Sequence, residues 1–132
     1  MAAMVTLYLL FNHQITPVQQ DDARNALGIG RIVDLPPDLQ RLWSAVPPEL
    51  DAIGSHLAPI QQWLAAHAAP GDFLLVQGDF GATCLMVAFA FQKGLVPIYS
   101  TTKRQAVETI LPNGGIQLTH SFQHERFRRY GA

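Results

Sequence analysis

The sequence predicts an α/β domain: a mostly parallel β-sheet with helices between its strands, closed by a C-terminal antiparallel β-hairpin. Three observations carry that expectation. Strand-forming apolar runs alternate with helical stretches in the order β-α-β-α-β-α-β, the pattern of right-handed crossovers between parallel strands. The runs at 4–11 and 73–77 show no polar alternation, as expected of strands buried on both faces. Near the end, Asn113-Gly114 stands between two β-prone runs, a strong short-range hairpin signal.

The first strand is expected over 4–11, followed by a polar break at Asn12-His13-Gln14. Thr16-Pro17 reads as an N-cap with proline at the first helical position, and the helix passes through Gln19, Asp22 and Ala26 to stop at Gly28. A short second strand covers 31–35. Pro37 opens a helix over 38–45, and Pro47-Pro48 interrupts the pattern. Leu50, Ile53, Leu57, Ile60 and Leu64 then recur at helical spacing, weakened or kinked at Gly54 and Pro59. Pro70-Gly71-Asp72 is a turn into the third strand, 73–77. Gly78 to Thr83 is a tight turn into a helix ending near Lys93-Gly94, and the fourth strand is 96–100. The hairpin is expected from 106–111 and 116–122, added to the sheet edge. A helix over 103–111 competes for the first of these segments.

At 132 residues the chain fits one domain, 1–132. With 48% hydrophobic and only 14% charged residues it has the makings of a packed core and a poorly charged surface, which points to a homodimer. A net charge of −1 excludes the global basic field of a duplex DNA binder. The cations nevertheless gather late in the chain (Lys103, Arg104, Arg126, Arg128, Arg129), where a local anion site can form. The single cysteine, Cys84, permits no intrachain disulfide and reads as a small core residue. The apolar run at 5–11 has no basic segment before it and is too short to span a bilayer, so a soluble, cytoplasmic protein is expected.

In an open parallel sheet, ligands bind beyond the carboxyl ends of the strands. Three such ends here are polar: Asn12-His13-Gln14, then Gln77-Gly78-Asp79-Phe80-Gly81-Ala82-Thr83, then Ser100-Thr101-Thr102-Lys103-Arg104. In the second, Gly78 and Gly81 let the backbone turn sharply against a ligand, and the following helix presents unpaired N–H groups to an anion. Asp79 either caps that helix or holds a ribose hydroxyl or adenine amino group. In the third, hydroxyls and cations suit phosphate oxygens, or else form a capped start to a solvated segment. His13 is a general acid/base or a ligand contact, or a histidine bonded to nearby backbone. His120 and His124 would share one face of a helix, whereas on a strand they share a face but lie too far apart to chelate readily, and no carboxylate or thiol set completes a metal site; no metal and no cofactor are expected.

Four stretches together resemble a known family: Phe11-Asn12-His13-x-Ile15-Thr16, Leu75-Val76-Gln77-Gly78-Asp79-Phe80-Gly81-Ala82-Thr83, Pro97-Ile98-Tyr99-Ser100-Thr101-Thr102-Lys103-Arg104, and His120-x-Phe122-x-His124-x-x-Phe127-Arg128. They look like the small stand-alone CRISPR-associated Csx proteins of type III systems. The resemblance implies a Rossmann-like fold related to CARF domains, usually dimeric, and a cyclic oligoadenylate ligand, most often the tetra-adenylate. Some such proteins are metal-independent ring nucleases that switch off antiviral signalling, leaving 2′,3′-cyclic phosphate ends; others only bind the messenger. On chemistry and position, His13 is the expected acid/base, and Lys103 or Arg104 the stabiliser of the phosphorane charge. Asn12, Gln77 and Asp79 are expected to hold base or ribose; the turn through Gly78, Phe80, Gly81, Ala82 and Thr83, with Ser100, Thr101 and Thr102, would hold phosphate.

Overall fold

A computed structural model describes residues 4–132. Five strands form one sheet: β1 (Thr6–Leu10), β2 (Arg31–Asp34), β3 (Phe73–Val76), β4 (Val96–Ile110) and β5 (Ile116–Arg129). Their spatial order is β2-β1-β3-β4-β5, with every neighbouring pair parallel except β4 and β5. The helices are α1 (Pro17–Leu27), α2 (Pro37–Ser44), α3 (Gly54–His67) and α4 (Phe80–Gln92). Among the described residues no helix is long and apolar enough to cross a membrane.

The unbroken apolar runs at β1 and β3 are buried on both faces, and the two faces serve two cores. Leu7, Leu9, Phe73, Leu75 and Ile98 pack with Ala23 and Leu27 of α1. On the other side, Tyr8, Leu10, Leu74 and Val76 meet Trp43 of α2, Leu57, Ile60 and Leu64 of α3, and Met86 and Phe89 of α4.

Local chemistry sets the element ends as the sequence implied. Thr16 and Gln19 form a reciprocal capping box, Thr16 Oγ1 accepting from Gln19 N at 3.2 Å and Gln19 Oε1 accepting from Thr16 N at 2.9 Å. Gly28 ends α1 at φ 69°, a conformation open to glycine. Gly54 proves to be the first residue of α3, which leaves Leu50 outside the helix and exposed; Pro59 sits within it. The turn residue Asp72 is buried, its carboxylate accepting from Thr6 N and Ala69 N, which ties the start of β1 to the approach to β3.

Three expectations need correction. The strand placed at 96–100 and the first hairpin strand are one strand, β4, running unbroken through Thr101-Thr102-Lys103-Arg104. The helix over 103–111 does not form: cross-strand pairing from Thr102↔His124 to Ile110↔Ile116 holds that segment extended. Cys84 is exposed rather than in the core. Its helix, α4, contains no charged residue and so reads as buried all round, yet only Ala82, Met86, Phe89 and Ala90 are buried, and Cys84, Leu85 and Phe91 face out.

Gly78, where β3 turns towards α4, has no room for a side chain: a Cβ there would lie 2.9 Å from the indole of Trp43, itself 1% exposed. Gly78→Ala is expected to lower stability by roughly 1–3 kcal/mol through overpacking. Gly54→Ala, where nothing lies within 4 Å, is expected to leave stability unchanged or raise it by about 0.4–1 kcal/mol. Urea denaturation midpoints of the two variants test the pair.

Candidate functional site

The chain leaves β1 through α1 to β2 on one side, and β3 lies on the other side of β1. Such a reversal opens a crevice between the carboxyl ends of β1 and β3. Three linked depressions run along this edge. One of about 450 Å³ is lined by Asn12, His13, Gln14, Asp34, Pro37 and Gln40, among others. The next, about 180 Å³, joins Phe11, Asn12 and His13 to Gln77 and Gly78. The last, about 290 Å³, is lined by Gln77, Gly78, Phe80, Thr83, Tyr99 and Tyr130. Shared residues make them one groove, bringing together the first two polar segments singled out from the sequence.

Gln77 is the knot in this groove. Its N–H donates to Leu10 O at 2.9 Å, its carbonyl accepts from Trp43 Nε1 at 3.1 Å, and its Oε1 accepts from Ser100 N at 2.8 Å. The ends of β1, β3 and β4 are fixed to each other by one residue. Across the groove, Gln40 Nε2 donates to Phe11 O at 2.7 Å and steadies the loop that carries Asn12 and His13. His13 is exposed, packs edge-on against Phe11 with ring centroids 5.5 Å apart, and hydrogen-bonds to no protein group among the described residues. Its imidazole is open to the groove.

At the other end, Asp79 caps α4, Oδ1 accepting from Ala82 N at 2.9 Å. Phe80, the first residue of that helix, is 95% exposed. Thr83 Oγ1 is shielded from solvent and has no partner among the described residues. Such an unsatisfied hydroxyl costs about 1–3 kcal/mol until something bonds to it.

The third segment divides. Ser100 is at the groove's wall through Gln77, but its hydroxyl is engaged behind the sheet: Oγ lies 2.6 Å from His124 Nδ1, and His124 Nε2 lies 2.6 Å from Asp22 Oδ2. Thr101 Oγ1 donates to Arg126 O. Thr102, Lys103 and Arg104 stand on the arm that β4 and β5 form beyond the sheet, and none of them lines the groove. Among the described residues no lysine or arginine does. Arg128, one of the late cations counted from the sequence, comes to the edge of this groove: its Nη1 donates to Tyr99 Oη at 3.1 Å and its guanidinium lies over the Tyr99 ring. Trp43 and Tyr130 were missed, since nothing in their local sequence distinguishes them from ordinary core aromatics.

A larger concavity, about 650 Å³, lies elsewhere, between the outer side of α1 and β5, with Arg126, Arg128, Arg129 and Glu125 on its walls. It runs from Asp22 to Leu27, away from the carboxyl edge, and its one α1 carboxylate is already tied to His124. Among the described residues no group of three or more histidine, cysteine, aspartate or glutamate side chains is arranged to hold a metal ion.

Fold and edge together define an α/β protein with an open, mostly parallel sheet, a ligand-sized groove at its topological reversal, and a protruding antiparallel arm. The chain belongs to the family described as "Uncharacterized protein MJ1673 family", whose model matches residues 5–128. A relative from Methanocaldococcus jannaschii, "Uncharacterized protein MJ1673", is 49% identical over 127 residues, spanning 96% of this chain and 98% of its own. No solved structure matches the chain.

Tyr130 closes the groove from below, its hydroxyl donating to Val76 O at 2.6 Å. Burial, and after it the neighbouring Tyr99, holds the Tyr130 phenol above its ordinary value of 10.0. The folded chain therefore keeps a proton that the unfolded chain releases. The associated stability is whole below pH about 10 and is lost as pH rises through the folded value. The stability advantage of the wild type over Tyr130→Phe is expected to shrink in that alkaline range, read by thermal melts of both proteins from pH 8 to 11.

Proposed function

We propose that the protein binds a cyclic oligoadenylate, cyclic tetra-adenylate in the first instance, along the carboxyl-edge groove, and opens the ring by metal-independent attack of a ribose 2′-hydroxyl. The observation that carries this reading is the groove itself: a chain of three depressions with an exposed aromatic ring at one end and an uncommitted imidazole along its wall. Further support comes from the coincidence of its walls with the stretches that resemble the CRISPR-associated Csx proteins, Phe11-Asn12-His13 and Gln77 to Thr83. The strand order with its crevice beside β1 is also that of doubly wound, Rossmann-like sheets, which supports the CARF-like reading.

In this assignment Phe80 stacks a base. Asn12 and the free amide N–H₂ of Gln77 contact base or ribose, and the second carboxylate oxygen of Asp79 accepts from a ribose hydroxyl. The N–H groups opening α4 at Phe80 and Gly81, the turn through Gly78 and Ala82, and the Thr83 hydroxyl lie against phosphate. His13 takes the 2′-hydroxyl proton; the 2′-oxygen forms its bond to phosphorus as the bond to the 5′-oxygen breaks. The products are a 2′,3′-cyclic phosphate and a 5′-hydroxyl, which takes up the proton. Charge on the phosphorane falls to Lys103 or Arg104, with the hydroxyls of Ser100, Thr101 and Thr102 behind them, only when the arm of a homodimer lies over the edge. Action in the cytoplasm as a homodimer, leading to shut-off of type III CRISPR signalling, follows from this reading.

The absence of a lysine or arginine from the groove favours a second reading, a sensor or sponge that binds the messenger without cutting it. Incubation with labelled cyclic tetra-adenylate in EDTA, followed by chromatography, separates the two. Linear products with 2′,3′-cyclic phosphate ends are expected. His13→Ala is expected to slow their formation roughly 10²–10⁴-fold with little change in affinity, and a 2′-O-methylated ring should bind and stay intact. Binding without conversion selects the sponge; no binding removes both readings.

A further inference from the structure

Beyond Ser100, β4 has no neighbour but β5. The two strands leave the sheet as a ribbon from Thr102↔His124 to Ile110↔Ile116, roughly 27 Å long at about 3.4 Å per residue. Paired residues in an antiparallel ladder share a face, so the register divides the arm cleanly. One face carries Arg104 with Phe122, Ala106 with His120, Glu108 with Leu118, and Ile110 with Ile116. The other carries Lys103, Gln105, Thr109, Gln117 and Ser121, with Val107 as its only large apolar side chain. Ile110, Ile116, Leu118 and Phe122 are 79%, 68%, 53% and 68% exposed, and all four belong to the first face. An isolated two-stranded ribbon is at best marginally stable in water, and an apolar stripe along it is an invitation to association.

We propose that this face is the surface through which two copies of the chain associate, the arms packed face to face about a two-fold axis over the Ala106–His120 row. The charges on the face choose the occupant. Arg104 and Glu108 lie four residues apart on one strand, about 14 Å by strand rise, and neither has an ion-pair partner among the described residues. A two-fold across the strands at Ala106 sets Arg104 against the partner's Glu108 and Glu108 against the partner's Arg104, while Phe122 meets the partner's Leu118. This is the self-complementarity an isologous interface requires. The apolar stripe also continues onto α1. Val18, 62% exposed, is one turn before Asp22, the residue bonded to His124 at the arm's base, and so lies where the partner's Ile110 and Ile116 arrive. The interface does not depend on which ligand the groove binds, although the cleavage assignment of the arm cations rests on a homodimer. It also gives Arg104 a role in pairing and leaves Lys103, on the outer face, as the arm's free cation.

Sedimentation equilibrium of the full chain without ligand tests it. A mass twice the 14.5 kDa of the chain is expected. Leu118→Asp buries an unpaired charge against the partner and should raise the dissociation constant on the order of a hundredfold or more. Gln117→Asp, on the opposite face, should leave association unchanged, with far-UV circular dichroism confirming that both variants fold. Arg104→Glu sets like charges together and should weaken association about tenfold or more, and adding Glu108→Arg should restore it. A wild-type monomer, a dimer indifferent to Leu118→Asp, or one dissolved instead by Phe91→Asp on α4 overturns the proposal. A double reversal that fails to restore association overturns the register. Binding of cyclic tetra-adenylate is measured separately on the same variants, so lost pairing with binding intact counts against this interface alone, and lost binding with pairing intact counts against the groove reading alone.

Discussion

Strands β1 and β3 carry large apolar side chains on both faces, and leaving one such side chain to water costs about 1.5–3 kcal/mol. Leu7, Leu9 and Leu75 therefore demand a cover on one side, while Tyr8, Leu10, Leu74 and Val76 demand one on the other. A chain of this length meets both demands by sending α1 to one face and α2, α3 and α4 to the other. It can do so only by reversing direction at β1, and the reversal leaves the carboxyl ends of β1 and β3 without a connecting segment between them. The groove is thus a by-product of covering a two-faced sheet. What the sequence adds is the choice of polar residues at its walls and the Gln77 hydrogen bonds that hold three strand ends in register.

The parts of the structure that depend on neighbouring residues could be read from the chain alone. The Thr16-Pro17 cap, the Gly28 stop, the apolar runs of β1 and β3 and the Asn113-Gly114 turn each act over a few residues, and each appears where the local chemistry put it. The errors arose where distant pairing decides. Residues 101–105 are polar and include no strong strand former beyond the threonines, so they read as a loop. They are extended because β5 pairs with them from more than fifteen residues away. For the candidate site this matters more than for the fold. Reading those residues as a loop places Lys103 and Arg104 at the groove; extending them as strand carries both onto the arm and sends their side chains to opposite faces. Cys84 failed for a related reason. A helix with no charge gives no sequence signal for which side is covered, and on α4 only the third of its surface facing the sheet is.

The chain of hydrogen bonds from Ser100 through His124 to Asp22 has the composition of a nucleophilic triad and the wrong surroundings for one. Such a triad needs a hydroxyl open to substrate and donors aimed at a developing oxyanion. Here Ser100 is 8% exposed and its hydroxyl is crowded by His124 and, at 3.4 Å, by Gln19 Nε2. No cavity of the groove reaches it. What the chain of bonds does is mechanical. It fastens the first pairs of the arm to α1 just after the register shift between Thr101 and Thr102, where a two-stranded ribbon would otherwise swing freely. A partly buried polar network of this kind fixes one geometry. The arm is therefore held at a defined angle before anything docks on it.

A defined arm changes how the charges of the molecule are to be understood. Besides the His13 imidazole, the groove offers an anionic ligand the amides of Asn12, Gln40 and Gln77, backbone N–H groups at the start of α4 and the hydroxyls of Thr83 and Tyr99, and among the described residues no lysine or arginine. Binding to duplex nucleic acid draws most of its free energy from lysine and arginine releasing counterions, and a groove without them has little hold on a generic polyanion. Hydrogen bonds and stacking, in contrast, depend on where each donor and ring stands, so they reward a ligand of one shape. By keeping Lys103 and Arg104 on the arm and Arg128 behind Tyr99, the fold separates recognition by shape from attraction by charge.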